Sequence, residues 1–393
     1  MPSRALILAP EPPYPLVGGG AYRTASIVEY VGRRYETDLV VFCETGSPDP
    51  CQAIPPGLVR RTHIIRLPRH SKSLPARFAR NFFRVLRRRP PLNDRFGGFS
   101  PQLRRALRGS SYALAVIEHF WCAGYCAEVA NVARTVILDL HNVESALMES
   151  CAGLEAGPRR LLWRQFARLA LSHERRLLPQ FDLVLTASET DAERIRAIAP
   201  QARVAVVPNT IPRRPPPEVA EQEVIVFSGN LEYPPNIHAV RYFASRVWPA
   251  LRARQPALVW RLVGRNPEGV RRYVAGDARI ELTGPIKDPL PWLGAAKAVV
   301  VPVLSGSGTR VKILEAWAAG RAVISTSFGA EGLPARHGEH LLVADGADTF
   351  QQAVLEILHR EALRRRLGQC GRQLYEREFT WESAWKRLAE LGI

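Results

Sequence analysis

A chain of 393 residues is too long for one ordinary hydrophobic core and calls for two domains. Its 46% hydrophobic content fits a soluble globular protein without a membrane-spanning run, and six scattered cysteines (43, 51, 122, 126, 151 and 370) suggest reduced thiols rather than a disulfide framework or a metal cluster. The formal charge of +17 is concentrated, since fourteen arginines and one lysine stand against the single acid Asp94 between Arg60 and Arg108.

The first residues carry too short an apolar run for a secretory leader and lead into a strand over 4–9. Loop 10–20 follows, with Pro13-Tyr-Pro and Gly18-Gly-Gly. Gly19 and Gly20 let the backbone approach a ligand closely. A helix over 21–34 and a strand over 38–42 come next.

The basic block then offers a helix over 76–88. Phe78, Phe82, Phe83, Val85 and Leu86 fall on one side of its wheel, and Arg77, Arg80, Arg84, Arg87 and Arg88 on the other. That pattern suits an element lying on an anionic membrane surface. It equally suits a helix that packs its phenylalanines on a sheet and leaves its arginines in water. No reading motif accompanies the charge, so nucleic acid is not expected as a partner.

Strands over 114–117, 135–140, 183–187 and 204–207, with a long helix over 158–178, complete an alternation that argues for a parallel, doubly wound sheet. His141 follows the second of these strands, at the carboxyl end where such sheets place ligands. His119 ends the strand before it, and Glu118 and Glu144 are weaker candidates that suit helix caps equally well.

Prolines at 208, 212 and 215–217 mark a linker, after which the alternation restarts. Strands are expected over 224–228, 259–263, 279–282, 298–302 and 322–325, and tail helices over 349–358, 361–376 and 381–391. The stretch 298–320 is the most informative. An unbroken apolar run ends in Gly306-Ser-Gly-Thr-Arg310, and a helical pattern through Val311, Leu314 and Ala318 begins. Strand, glycine turn and helix set free N–H groups and a positive dipole against an anion. Arg310 and Lys312 add positive charge, and Glu315 adds a carboxylate able to accept from sugar hydroxyls. Together they suggest a site for a nucleoside-diphosphate sugar. An ordinary strand–helix unit, whose glycines only make the turn, explains the same residues.

The C-terminal half resembles the retaining family-4 glycosyltransferases. The likeness runs through Val207-Pro-Asn, Phe227-Ser-Gly-Asn, Leu262-Val-Gly, Leu282-Thr-Gly-Pro-Ile, Lys312-Ile-Leu-Glu-Ala-Trp-Ala-Ala-Gly, Gly329-Ala-Glu-Gly-Leu and Phe379-Thr-Trp-Glu. The N-terminal half agrees more loosely, through Pro13-Tyr-Pro, Gly18-Gly-Gly and Asp139-Leu-His-Asn142. The resemblance implies an α/β, GT-B fold of two doubly wound Rossmann-like domains facing across a cleft. Its parts are an acceptor-side domain over 1–212, a linker over 213–222, a nucleotide-sugar domain over 223–376 and a C-terminal helix over 377–393 packing back on the first domain.

It also implies roles. Glu315 matches the second carboxylate of the family's two-glutamate motif, which holds the ribose, and His141 the histidine near the reacting carbon. Gly19, Gly20, Gly229, Asn230, Ser307, Gly308, Thr309, Arg310 and Lys312 fall at donor-binding places. Two departures stand out: Ser307 occupies the position of the first glutamate, and Asn230 with Pro235 or Asn236 replaces the cations expected on the diphosphate. Arg310, with Lys312 and the amides of Gly308 and Thr309, is the expected substitute. No Asp-x-Asp occurs, as fits a metal-independent enzyme without cofactor, taking a nucleotide sugar as co-substrate. The implied activity is sugar transfer with retention to a lipid-linked or polysaccharide acceptor. The implied location is cytoplasmic, peripheral on the inner membrane face. A sugar-nucleotide epimerase and a binding module without turnover are the alternatives.

Overall fold

Short apolar runs alternating with amphipathic segments bury both faces of a sheet, and this chain does so twice. The computed structural model describes residues 3–71 and 73–393. They form two compact units, one running to Pro208 and including Leu388–Ile393, the other spanning Asn209–Arg387.

In the first unit the strands are β1 (Arg4–Ala9), β2 (Glu36–Glu44), β3 (Arg61–Leu67), β4 (Tyr112–Glu118), β5 (Ala133–Asp139), β6 (Leu183–Thr186) and β7 (Val204–Val206). They pair in the order β3-β2-β1-β4-β5-β6-β7, all parallel. Leu6, Leu8, Phe42, Ile117 and Leu138 fill its core. Full burial of each such side chain contributes about 1.5–3 kcal/mol.

The second unit repeats the plan with β8 (Gln222–Ser228), β9 (Val259–Val263), β10 (Ile280–Leu282), β11 (Ala296–Val301), β12 (Val323–Ser325) and β13 (Leu342–Val343). Their order is β10-β9-β8-β11-β12-β13, again parallel. Trp260, Trp317, Phe243 and Phe350 are fully enclosed there. Each sheet reverses its winding once, between β1 and β4 and between β8 and β11. Polypeptide leaving the carboxyl ends of those strands diverges and opens a crevice.

Strands β3 and β13 have no counterpart in the sequence reading. The Ile64-Ile65 core of β3 is flanked by Arg61 and Arg66, so charge conceals a strand that lies at a sheet edge, where outward arginines are tolerated. With two residues, β13 is too short to leave a periodic signal.

The domain boundary also differs from expectation. The first unit ends at Pro208, and the proline-rich stretch 213–222 belongs to the second unit. It is pinned there by side chains: Arg214 donates twice to Asp288, at 2.9 and 2.7 Å, and Glu221 accepts from Arg321 and Arg364. The Tyr375 hydroxyl donates to the Pro212 carbonyl. A strap held this way cannot behave as a free linker. At the other end only Leu388–Ile393 group with the first unit, where Tyr30 donates to the Ile393 carbonyl.

The basic helix is real, but its orientation reverses the ordinary packing. In α2 (Leu74–Leu86), Phe78 is 77% exposed and Phe82, Phe83 and Leu86 are also exposed. Packing falls instead to Val85, which joins the cluster of Met148, Phe166 and Leu169. Arg84 is buried, its Nε 3.2 Å from Asp94 Oδ2, and therefore leaves the set of surface arginines. Arg80 is half-buried, whereas Arg77, Arg87 and Arg88 stay in solvent. The reading in which phenylalanines cover the sheet is overturned.

Candidate functional site

In the first unit, polar side chains gather where β1, β4 and β5 end. Helix α1 (Gly19–Gly32) starts directly after the β1 loop. From its second turn Arg23 reaches Asp139 with two bonds, Nε to Oδ2 at 2.7 Å and Nη2 to Oδ1 at 2.5 Å. Arg23 Nη1 also donates to the Val207 carbonyl. Both partners of this pair are buried, so its forked geometry offsets the desolvation cost.

Beside it, Glu118 Oε2 accepts from the Thr24 hydroxyl at 3.0 Å and lies 2.9 Å from His141 Nε2. Glu118 Oε2 thus meets both the Thr24 hydroxyl and the imidazole. Burial raises the Glu118 carboxyl well above its ordinary value, and Asp139 adds to the effect. Burial likewise lowers His141, to about 3, with Asp139 opposing and Arg23 assisting. The cluster therefore presents neutral imidazole.

His119 lies directly on His141, ring centroids 3.4 Å apart, and on Trp121 at 4.1 Å. A Cβ on Gly20 would stand 3.6 Å from His119 Nε2 and 3.8 Å from His141 Nδ1, so the missing side chain leaves room under both rings. Glu118 and Glu144 are not helix caps, contrary to the sequence alternative. Glu118 is buried at the end of β4, and Glu144 accepts from the Trp121 indole at 2.8 Å. Among the described residues, Glu118, Asp139 and His141 bring ligand atoms within 4.8 Å of one another, close enough to share an ion, although Arg23 already takes both Asp139 oxygens.

In the second unit the corresponding place lies after β8 and β11. The helix Val311–Ala318 begins after the glycine turn, with Arg310 as its cap residue rather than in its first turn. Arg310 folds back, Nη1 donating to the carbonyls of Ser307 at 2.5 Å and Gly308 at 2.7 Å. Ser307 and Thr309 are buried, and the Thr309 carbonyl accepts from Asn209.

Lys312 takes the place expected of Arg310. Its Nζ is 2.6 Å from Asn236 Oδ1, 4.0 Å from the centre of the Phe227 ring and 3.4 Å from where a Gly229 Cβ would stand. Asn236 in turn donates to the Asn230 carbonyl, and Asn230 accepts from Asn266. A cation thus stands beside the Gly229–Asn236 loop, where the sequence of the loop itself supplies none. Gly229 has φ +142°, a value that favours glycine.

One turn beyond Lys312, Glu315 is buried between Leu314 and Ala316. Burial raises its carboxyl to about 7, against the opposing charge of Lys312. Burial lowers Lys312 to about 7, helped by Arg310 and opposed by Glu315.

Sequence reasoning missed Arg23, Thr24 and Trp121, and treated Asn236 only as a missing lysine. The one basic residue inside α1 was the available signal for Arg23.

Comparison with known proteins now decides the family. Residues 222–360 match the model of glycosyl transferases group 1, and residues 18–210 match that of the glycosyl transferase 4-like domain. The chain belongs to the family-4 glycosyltransferases. A relative described as an uncharacterized 44.6 kDa protein in the cps region of Klebsiella pneumoniae is 22% identical over 236 residues, 57% of this glycosyltransferase. The match spans only 59% of that relative's length. Sucrose-phosphate synthase from Thermosynechococcus elongatus superposes with TM-score 0.75 at 18% identity, covering 99% of this chain and 98% of that one. Anabaena HepE, solved with UDP and glucose, gives 0.67 at 14%, covering 99% of each. TarM from S. aureus, solved with fondaparinux, α-GlcNAc-glycerol and UDP, gives 0.67 at 11%, again covering 99% of each. The glycosyltransferase thus has the GT-B fold, with two parallel α/β sheets.

Proposed function

We propose that this glycosyltransferase moves a hexose from a nucleoside-diphosphate sugar to a glycan or lipid-linked acceptor with retention of anomeric configuration. The arrangement of Lys312 beside Gly229, with Glu315 one turn further along the helix, carries the reading. Lys312 and the backbone amides of the 306–309 turn meet the diphosphate, and Glu315 accepts from the ribose hydroxyls. HepE and TarM, solved with UDP, support a nucleotide sugar as donor. His141 holds a sugar hydroxyl, and Gly19 and Gly20 admit the substrate backbone-close. Positive charge at Lys312 serves the leaving diphosphate in the manner that suits metal-independent transfer. In that reaction the bond from the anomeric carbon to phosphate breaks, the acceptor oxygen bonds to the same face, and its proton passes to the departing phosphate.

A mass-spectrometric screen of nucleotide sugars tests this. Donor consumed with a glycosylated acceptor, or slowly hydrolysed, is the expected outcome. An isomerised donor would mark an epimerase, and binding without turnover a binding module. If Glu315→Ala and His141→Ala both leave transfer intact, the site is elsewhere.

Helix α2 supports a peripheral place on the inner face of the cytoplasmic membrane. No helix among the described residues is long and apolar enough to cross a membrane. An outward face of Phe78, Phe82, Phe83 and Leu86 beside Arg77, Arg87 and Arg88 suits insertion at an anionic surface. Flotation with anionic liposomes, but not neutral ones, is expected; equal partitioning would remove the membrane from the account.

A further inference from the structure

Arg80 is a cation that its own surroundings do not balance. It stands on α2 between Arg77 and Arg84, at spacings that put all three on one face of the helix. It is half-buried, and its Nε is shut from solvent without a hydrogen-bond partner among the described residues. The acids nearby hold other arginines: Asp94 Oδ2 accepts from Arg84 Nε at 3.2 Å, and Glu44 Oε1 from Arg95 Nη2 at 2.5 Å. Helix α3 (Pro91–Phe96) brings Arg95 to the loop after β3, where its Nη1 donates to the Pro68 carbonyl at 2.7 Å, just before His70. Burial, and then the charges of Arg84, Arg77 and Arg95, disfavour the cationic form of Arg80. Burial and the charges of Arg80, Arg95 and Arg84 likewise disfavour a cationic His70, with Glu44 opposing. A guanidinium does not shed its proton, so an added anion is what relieves the repulsion. The same helix indicates which anion. Phe83, one turn from Arg80, is exposed together with Phe78, Phe82 and Leu86. An apolar ridge beside an uncompensated guanidinium matches a molecule that joins hydrocarbon to phosphate. A soluble phosphate would use the charge and leave the ridge in water.

We propose that Arg80, backed by Arg84, Arg95 and His70, forms a discrete seat for the phosphate headgroup of an anionic membrane lipid whose acyl chains meet Phe78, Phe82, Phe83 and Leu86. A guanidinium takes two phosphate oxygens in a forked pair, and the tetrahedral group still has an oxygen free for a second donor. A carboxylate headgroup spends both oxygens on the first fork. The seat lies wholly within the first unit. It rests on the membrane reading of α2 given above, and adds to it a preference for phosphate that a diffuse positive surface lacks.

Flotation of the full chain tests it, with phosphatidylcholine vesicles carrying either phosphatidic acid or oleate at matched surface potential. The wild type is expected to favour phosphatidic acid about tenfold, the size of one hydrogen bond to a charged group. Arg80→Met should lose that preference along with about tenfold in affinity for phosphatidic acid. Arg87→Met removes an exposed arginine at the end of the same helix, and should lose only about fivefold while keeping the preference. Without lipid, Arg80→Met should melt no lower than the wild type, because it removes like-charge repulsion and no hydrogen bond between described residues. A lower melting temperature would show that Arg80 is balanced within the fold and would overturn the seat. Equal flotation of the wild type with both vesicles, or equal losses in the two variants, also overturns it and leaves a diffuse basic surface. Inorganic phosphate or single-stranded RNA bound more tightly than phosphatidic-acid vesicles, by calorimetry, overturns the lipid as occupant. A wild type that floats with neither vesicle instead removes the membrane reading of α2 itself.

Discussion

The two polar clusters stand at equivalent places in two similar sheets, yet they are built on opposite principles. In the first unit the polar groups hold one another in close buried pairs: Arg23 with Asp139, Glu118 Oε2 with Thr24 and His141. Its imidazoles are held neutral and its geometry is fixed by forked bonds and stacked rings. In the second unit Lys312 and Glu315 both titrate near 7, so small changes in their surroundings alter their charge. One cluster sets shape and the other sets charge. The winding of the sheets provides the two sites, but the residues placed on them decide what each can do.

The sharpest test of that contrast is stability. Arg23→Met strands Asp139 as a buried, unpaired carboxylate and is expected to cost about 3–5 kcal/mol in chemical denaturation. Lys312→Met should cost about 1 kcal/mol or less, since Lys312 keeps part of its surface in solvent and methionine retains an apolar chain where Nζ now faces the Phe227 ring. Comparable losses from both variants would erase the distinction.

Next in size is binding. Glu315→Ala should weaken nucleoside-diphosphate affinity by about 1.5–3 kcal/mol, measured by calorimetry, through loss of a charged acceptor. A milder change at the first unit's carboxylate, Glu118→Gln, keeps an acceptor oxygen toward His141 and should leave nucleotide affinity within about twofold.

A third test is pH. A bound diphosphate favours charged Lys312, and the free protein loses that charge as pH rises through about 7. The lysine's contribution to affinity should therefore be full below that value and fall above it, by at most about tenfold per pH unit. Ionisation of Glu315 in the same window has the opposite sign if the ribose needs the carboxylate, so Glu315→Gln should show the lysine slope alone. The smallest expected effect is at α2, where Phe78→Ser with Phe82→Ser should reduce liposome flotation by about 1–3 kcal/mol with little change in thermal stability, because both rings stand mostly in solvent.

Much of the fold was legible because buried parallel strands are continuous apolar runs. β9 lies where its Val259–Val263 sequence places it, and β1 likewise. Where charge interrupted the run, as in β3, the signal failed. The proline-rich stretch read as a linker because prolines break helices, but its tethering by Arg214, Glu221 and Tyr375 depends on partners far away in sequence. Site residues followed the same rule. Glu315 stood out as a carboxylate among apolar neighbours. Arg310 and Lys312 could not be ranked, since only folding shows that the turn carbonyls capture the first and leave the second beside Gly229. The Arg23–Asp139 pair spans 116 positions, beyond the reach of any local pattern.

The central claim is that the Lys312–Glu315 cluster holds a nucleoside diphosphate. Calorimetric titration of UDP, GDP, ADP and TDP into the wild type and Lys312→Met, at about pH 6 and about pH 8.5, tests it most directly. At least one diphosphate should bind the wild type, and Lys312→Met should bind it more weakly at about pH 6 and without the lysine's fall in affinity between the two pH values. Binding that Lys312→Met leaves unchanged, or no binding by any of the four, would contradict it.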